Sequence, residues 1–222
     1  MFNPERPPEI NAARWLNSDK KRTLKGEKGK VVVVAIAQIG CPGSIKFGLP
    51  QAQRLTRAFS ADELTVFGLH MAFENFDEQT PDKVAAFFEE NGYAFPVAID
   101  KPNGDGLPET MKAYELQGTP AILLFDRQGR VRRHYLGAVD DLRLGAEIMA
   151  LLIEDKESPH EMSIALERKM AAALLDPNEH HHHHHDGDGC GHDHSHDHAH
   201  DHHDHDHAHG EPRRVHGPGC KH

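Results

Sequence analysis

Apolar residues in this chain fall into short runs separated by turn-forming residues. Val31-Val32-Val33-Val34-Ala35-Ile36-Ala37 and Leu64-Thr65-Val66-Phe67-Gly68-Leu69-His70 are almost unbroken, as strands buried on both faces require. After the first run, Ile45, Leu49, Ala52 and Leu55 recur at helical spacing, and Pro50 within that helix predicts a kink. Ser60 and Glu63 imitate a capping box, but the β-rich run that follows makes the match accidental. Thr80-Pro81 opens a helix with Thr80 as cap and Pro81 at its first position. Val84, Phe87 and Phe88 form its apolar face, and Asn91-Gly92 stops it.

Phe95–Asp100 reads as a short strand and Pro108–Leu116 as a short helix. Ala121–Phe125 and Val131–Leu136 form a hairpin across the turn residues Asp126-Arg127-Gln128-Gly129. Leu142–Ile153 closes the series as an amphipathic helix. The order β-α-β-α-β-α-β-β-α predicts an α/β domain, a central sheet with helices on both faces. The predicted layout is an N-terminal extension (1–29), the α/β domain (30–156), an accessory helix (157–176) and a tail (177–222). Trp15 is expected to pin the extension against a sheet edge. Ser158, Pro159 and Glu161 begin the accessory helix.

Composition changes the picture at the C-terminus. Residues 180–222 hold 18 of the 21 histidines, and from Asp176 onward ten acidic residues face three basic ones. The remainder is nearly neutral, which gives no reason to expect a nucleic-acid or membrane partner. The polar, proline-rich start has no apolar stretch of signal-peptide length, so a cytoplasmic location with reduced thiols is expected. Three cysteines (Cys41, Cys190 and Cys220) then read as reactive or metal-binding.

The tail lacks the apolar surface needed to fold alone, so disorder is expected. His180, His181, His182, His183, His184 and His185 run together. His192, His194, His196, His198, His200, His202, His203, His205, His207 and His209 follow in near alternation with aspartate, and Cys190 lies between the two groups. Neutral imidazoles bind zinc, nickel or cobalt, and aspartates balance the charge. Many overlapping sites of low selectivity make this a metal buffer. Similar histidine-aspartate tracts occur in nickel and zinc chaperones and in metal transporters, which implies storage or delivery.

A valine-rich strand followed by Cys41-Pro42-Gly43-Ser44 at the start of a proline-kinked helix resembles the thioredoxin superfamily. Gly118-Thr119-Pro120 before an apolar strand and an Asp-x-x-Gly hairpin resembles that superfamily's cis-proline loop. Over residues 12 to about 155 the chain is most similar to the branch of TlpA-like disulfide reductases and peroxiredoxins. The resemblance implies a thioredoxin-like fold and redox chemistry with a disulfide-bearing protein. Ser44 stands where the family's second cysteine belongs. Phe47 replaces a charge some TlpA-like reductases carry. Val34 and Gln38 replace the proline and threonine of a peroxidatic site.

Cys41 at a helix N-terminus favours thiolate. The resemblance implies Thr119 and Pro120 as the substrate-side loop, with Ser44 as a hydrogen-bond partner to the sulfur. Three readings stay open. Cys41 works as a monothiol resolved by a small thiol such as glutathione, or Cys190 or Cys220 resolves it, or the fold is a redox-inert scaffold for metal storage and delivery. His70 at a strand end either tunes or ligates beside Cys41, or is a satisfied polar residue. His134 and His160 read as surface residues.

Overall fold

The computed structural model describes residues 2–104, 106–154 and 159–174. Ser158, Cys190, Cys220 and every tail histidine lie outside the described residues. Six strands form one mixed sheet: β1 (Ala12–Leu16), β2 (Val31–Ala37), β3 (Leu64–His70), β4 (Val97–Asp100), β5 (Ala121–Phe125) and β6 (Val131–Leu136), ordered β1-β4-β3-β2-β5-β6. The inner pairs β2/β3 and β3/β4 are parallel, and β1/β4, β2/β5 and β5/β6 are antiparallel. Five helices accompany them: α1 (Leu49–Ala58), α2 (Pro81–Glu90), α3 (Glu109–Ala113), α4 (Asp141–Ile153) and α5 (His160–Ala173). This is a thioredoxin-like fold.

Every residue of β2 is buried because the strand is central and covered on both faces. Alternation divides its side chains between two cores. Val31, Val33 and Ala35 join Leu49, Val84 and Ile148 from α1, α2 and α4. Val32, Val34 and Ile36 join Phe67, Met111 and Tyr114 on the opposite face. The apolar run therefore builds both layers, and β2 delivers the residues that follow it to the C-terminal edge of the sheet.

Several boundaries differ from expectation. The kink expected at Pro50 is a π-helical turn over Ser44–Gly48, with Leu49 N–H bonding the Ser44 carbonyl. Proline offers no N–H and its ring crowds the carbonyl four residues back, so the ladder slips by one residue. The extra residue takes Ile45 off the apolar stripe, and it is 39% exposed. Thr80 caps α2 through its backbone, without a side-chain capping bond. The helix expected to reach Leu116 ends at Ala113. Glu115 adopts a left-handed φ of 54°, and Leu116 N–H closes onto the Met111 carbonyl, a Schellman-type stop. The Asp100 carboxylate, ten residues upstream, caps α3 by accepting from Thr110 and Met111 N–H.

Ser60 sits in a turn before β3 and starts no helix. The segment expected only to rest against the sheet edge forms that edge, as β1 paired with β4, and the Trp15 ring lies edge-on to Phe67 with centroids 5.4 Å apart. At the other edge, α5 is held by buried charges. Arg132 reaches Asp126 (3.2 Å), Glu154 (2.8 Å) and Glu167 (2.8 Å), while Arg130 bonds Asp126 (2.7 Å) and Ser163 Oγ (2.9 Å).

Candidate functional site

Cys41 lies at the mouth of the turn that leaves β2 and opens the α1 region. Its N–H bonds the Gln38 carbonyl at 3.0 Å, and its own carbonyl takes Ile45 N–H at 3.1 Å. The side chain is half-buried. Its thiol donates to the Thr119 carbonyl at 3.4 Å, and the Thr119–Pro120 peptide is cis. Thus Cys41, Ser44, Thr119 and Pro120, four positions drawn from two distant parts of the chain, converge at one edge of the sheet.

Ser44 is completely buried and its Oγ accepts Gln38 N–H at 3.2 Å. With a lone pair engaged there, the hydroxyl proton is free to serve the sulfur. Burial pushes the Cys41 thiol up. Hydrogen bonds from the Ser44 and Thr119 side chains and from Ser44 and Gly43 N–H outweigh it and hold the thiol below its ordinary value. The site makes the thiol more acidic than a free one.

Gly43 of the cysteine motif and Gly48, which nothing in the sequence reading marked, create the fit to the cis-proline loop. A Cβ at Gly43 would lie 2.9 Å from Pro120 Cδ, and one at Gly48 would lie 2.9 Å from Pro120 Cβ. The five-residue spacing of these glycines around the π turn is the signal that was available. Ile45 (39% exposed) and Phe47 (46%) in the π turn, and Leu136 (60%) beside Gly118, are exposed apolar residues on the segments that meet at Cys41. Lys46 Nζ sits 5.2 Å from the centre of the Phe47 ring, so a cation accompanies the aromatic that replaces the family's charge.

His70 is 2% exposed, and its Nε2 accepts Ile39 N–H at 3.4 Å. Burial drives the imidazole down to about 4, against a smaller opposing contribution from Gln79, so it is neutral at pH 7. The satisfied-polar alternative describes it: His70 pins the turn that carries Cys41, with its acceptor nitrogen already engaged. Gln79 Nε2 donates to the Glu74 carbonyl at 2.8 Å and packs near the Cα of Gly40. Nothing in the sequence marked Gln79. His134 is exposed. Val34 and Gln38, at the peroxidatic positions, are both buried.

Among the described residues, no group of three or more His, Cys, Asp and Glu is arranged to hold a metal ion. No described helix is long and apolar enough to cross a membrane.

Known proteins share this fold. A crystallised thioredoxin-like superfamily protein is 42% identical, with a TM-score of 0.66, over 67% of this chain and 96% of its own. A thiol-disulfide isomerase from Corynebacterium glutamicum is 41% identical, with a TM-score of 0.65, over 68% of this chain and 98% of its own. A thioredoxin-like protein in its oxidized form, 22% identical over 66% of this chain and 93% of its own with a TM-score of 0.55, shares the fold. A search of curated proteins gives no match. The Redoxin family profile matches residues 8–147. The chain belongs to the Redoxin family of thioredoxin-like redox proteins.

Proposed function

We propose that this protein exchanges disulfides through the single thiol of Cys41, while its histidine-rich tail buffers divalent transition metals. The observation that carries the redox half is the hydrogen bonding around the sulfur. Ser44, Thr119 and two backbone N–H groups together offset the cost of burying a thiolate. A redox-inert scaffold has no need of that arrangement.

The Cys41 thiolate attacks one sulfur of a substrate disulfide. A mixed disulfide forms, the second substrate sulfur leaves as a thiolate and takes a proton from solvent. Ser44 has no sulfur with which to expel the bound half. A small thiol such as glutathione, entering as its thiolate, attacks the substrate sulfur and releases Cys41 as thiolate. One disulfide is consumed and one is formed, so exchange is redox-neutral. The exposed apolar residues Ile45, Phe47 and Leu136 favour a disulfide carried on a polypeptide with apolar neighbours, in keeping with the isomerase relative.

The tail reading rests on the sequence: sixteen histidines between His180 and His209, interleaved with aspartate. Its imidazoles and Cys190 would hold zinc, nickel or cobalt. Mass spectrometry of the full chain after exposure to a disulfide-bonded peptide tests the redox half. A peptide adduct on Cys41 that persists until glutathione is added is the expected result. No adduct on the folded protein would leave the scaffold alternative standing.

A further inference from the structure

The outward face of α4 is apolar where a solvent-facing helix surface is ordinarily polar. Leu142 is 84% exposed, Met149 46% and Ile153 78%. With Ala146 they recur at intervals of four, three and four residues, which places them in one stripe. Single exposed apolar residues need no explanation, but a contiguous row marks an interaction surface. Beside the C-terminal half of this stripe α5 completes a groove of about 320 Å³. Ala150, Ile153, Met162 and Leu166 line it, with Lys169 and with Glu154, whose carboxylate is already taken by Arg132 at 2.8 Å.

We propose that this face is the two-fold interface of a homodimer, in which the partner's Leu142 seats in the α4–α5 groove. The interval four-three-four reads the same in both directions. Two copies of α4 laid antiparallel about an axis midway between Ala146 and Met149 bring Leu142 to the partner's Ile153. The same axis brings Ala146 to the partner's Met149, a small side chain opposite a large one.

Knob and hole lie on the same surface, eight residues or about 12 Å apart along α4. A closed, isologous pair therefore fills both grooves at once and leaves no apolar row uncovered. Charge agrees with that arrangement. Asp140, exposed two residues before Leu142, comes to the groove that the partner's Lys169 lines. Antiparallel helices also set opposite dipole ends side by side. Two helices about 20 Å long and 10 Å wide present a face of roughly 400 Å². That is about half of the roughly 800 Å² per partner in a standard interface, so the dimer is a weak, concentration-dependent one.

Sedimentation equilibrium of the full chain in EDTA, from about 5 to about 200 µM, tests this without metal bridging the tails. The expected mass rises with concentration toward twice the 24.8 kDa of one chain. Leu142→Glu and Ile153→Glu, at opposite ends of the stripe, should each weaken association at least tenfold. Their circular dichroism and melting should remain those of the unaltered protein. Leu107→Glu, an exposed apolar position off this face, should leave association unchanged. A monomer throughout the range, or a dimer indifferent to both stripe substitutions, would overturn the proposal.

Discussion

Gly43 approaches the Pro120 ring so closely that a Cβ added there would stand 2.9 Å from Pro120 Cδ. Gly48 meets the same ring from one turn further on. The helix that carries Cys41 and the loop that carries Thr119 are thereby fitted together, and that fit sets the distance between the sulfur and the Thr119 carbonyl. Gly43→Ala should cost about 1–3 kcal/mol by overpacking and slow the reaction of Cys41. As a contrast, Gly145 in α4 has open space around it. Gly145→Ala should stabilise the protein by about 0.5–1 kcal/mol. Urea melts of the two variants at low protein concentration check both signs.

Ser44 offers a second test. Ser44→Ala removes the hydroxyl that serves the sulfur and leaves Gln38 N–H without its acceptor. The apparent pKa of Cys41 should rise, and stability should fall by roughly 1–3 kcal/mol for the orphaned donor. Ser44→Cys supplies the absent second thiol. The mixed disulfide that accumulates on the natural chain should then disappear, replaced by a bond between residues 41 and 44.

His70 predicts a pH dependence of stability. Burial holds its folded value at about 4, against about 6.5 in the unfolded chain. Between these values the unfolded chain binds a proton that the folded one does not. Stability is therefore full above about pH 6.5 and is lost as pH falls toward 4, by roughly 3 kcal/mol in all. His70→Gln, which does not titrate, should flatten this part of the profile. A slope between pH 6.5 and 4 that survives the substitution would assign the effect to another group.

The charges under α5 should behave as a buried network. Side-chain exposure is 1% at Asp126, 6% at Glu154 and 7% at Arg132. Arg132→Ala leaves both carboxylates to Arg130 alone and removes the pair to Glu167 on α5, which should cost about 2–3 kcal/mol. Protease cleavage should accelerate within α5. A loss under 1 kcal/mol would mean the pairs act as solvated surface contacts.

For the tail, metal affinity must follow imidazole protonation. Zinc binding measured by calorimetry should weaken sharply from pH 7 to pH 5, because each ligand must shed its proton. Affinity that stays flat from pH 8 to pH 5 would contradict histidine ligation.

Most of the architecture was legible in the sequence because it depends on short-range signals. The unbroken apolar runs of β2 and β3 placed the central strands, and Asp126–Gly129 placed the β5/β6 hairpin. Cys41-Pro42-Gly43-Ser44 and Gly118-Thr119-Pro120 marked two elements whose meeting is a property of the superfamily. What escaped depends on contacts between distant residues. Asp100 caps a helix that begins nine residues further on, and Arg132 and Arg133 of β6 find Glu147 on α4 and Glu167 on α5. His70 looked like a possible partner for the sulfur, yet its nitrogen is taken by a backbone N–H two residues before Cys41. The π turn follows from Pro50, but periodicity alone gives a kink without its register. Leu116 fell outside its helix because Glu115 accepts a left-handed conformation, which local propensity disfavours.

The central claim is that Cys41 is an activated nucleophile, and its alkylation rate as a function of pH tests that most directly. The protein is used in EDTA with Cys190→Ala and Cys220→Ala, so that only Cys41 reports. The account predicts an apparent pKa below the roughly 8.5 of a free thiol, moved upward by Ser44→Ala. A value at or above that of a free thiol, or a sulfur unreactive until the protein unfolds, would contradict it.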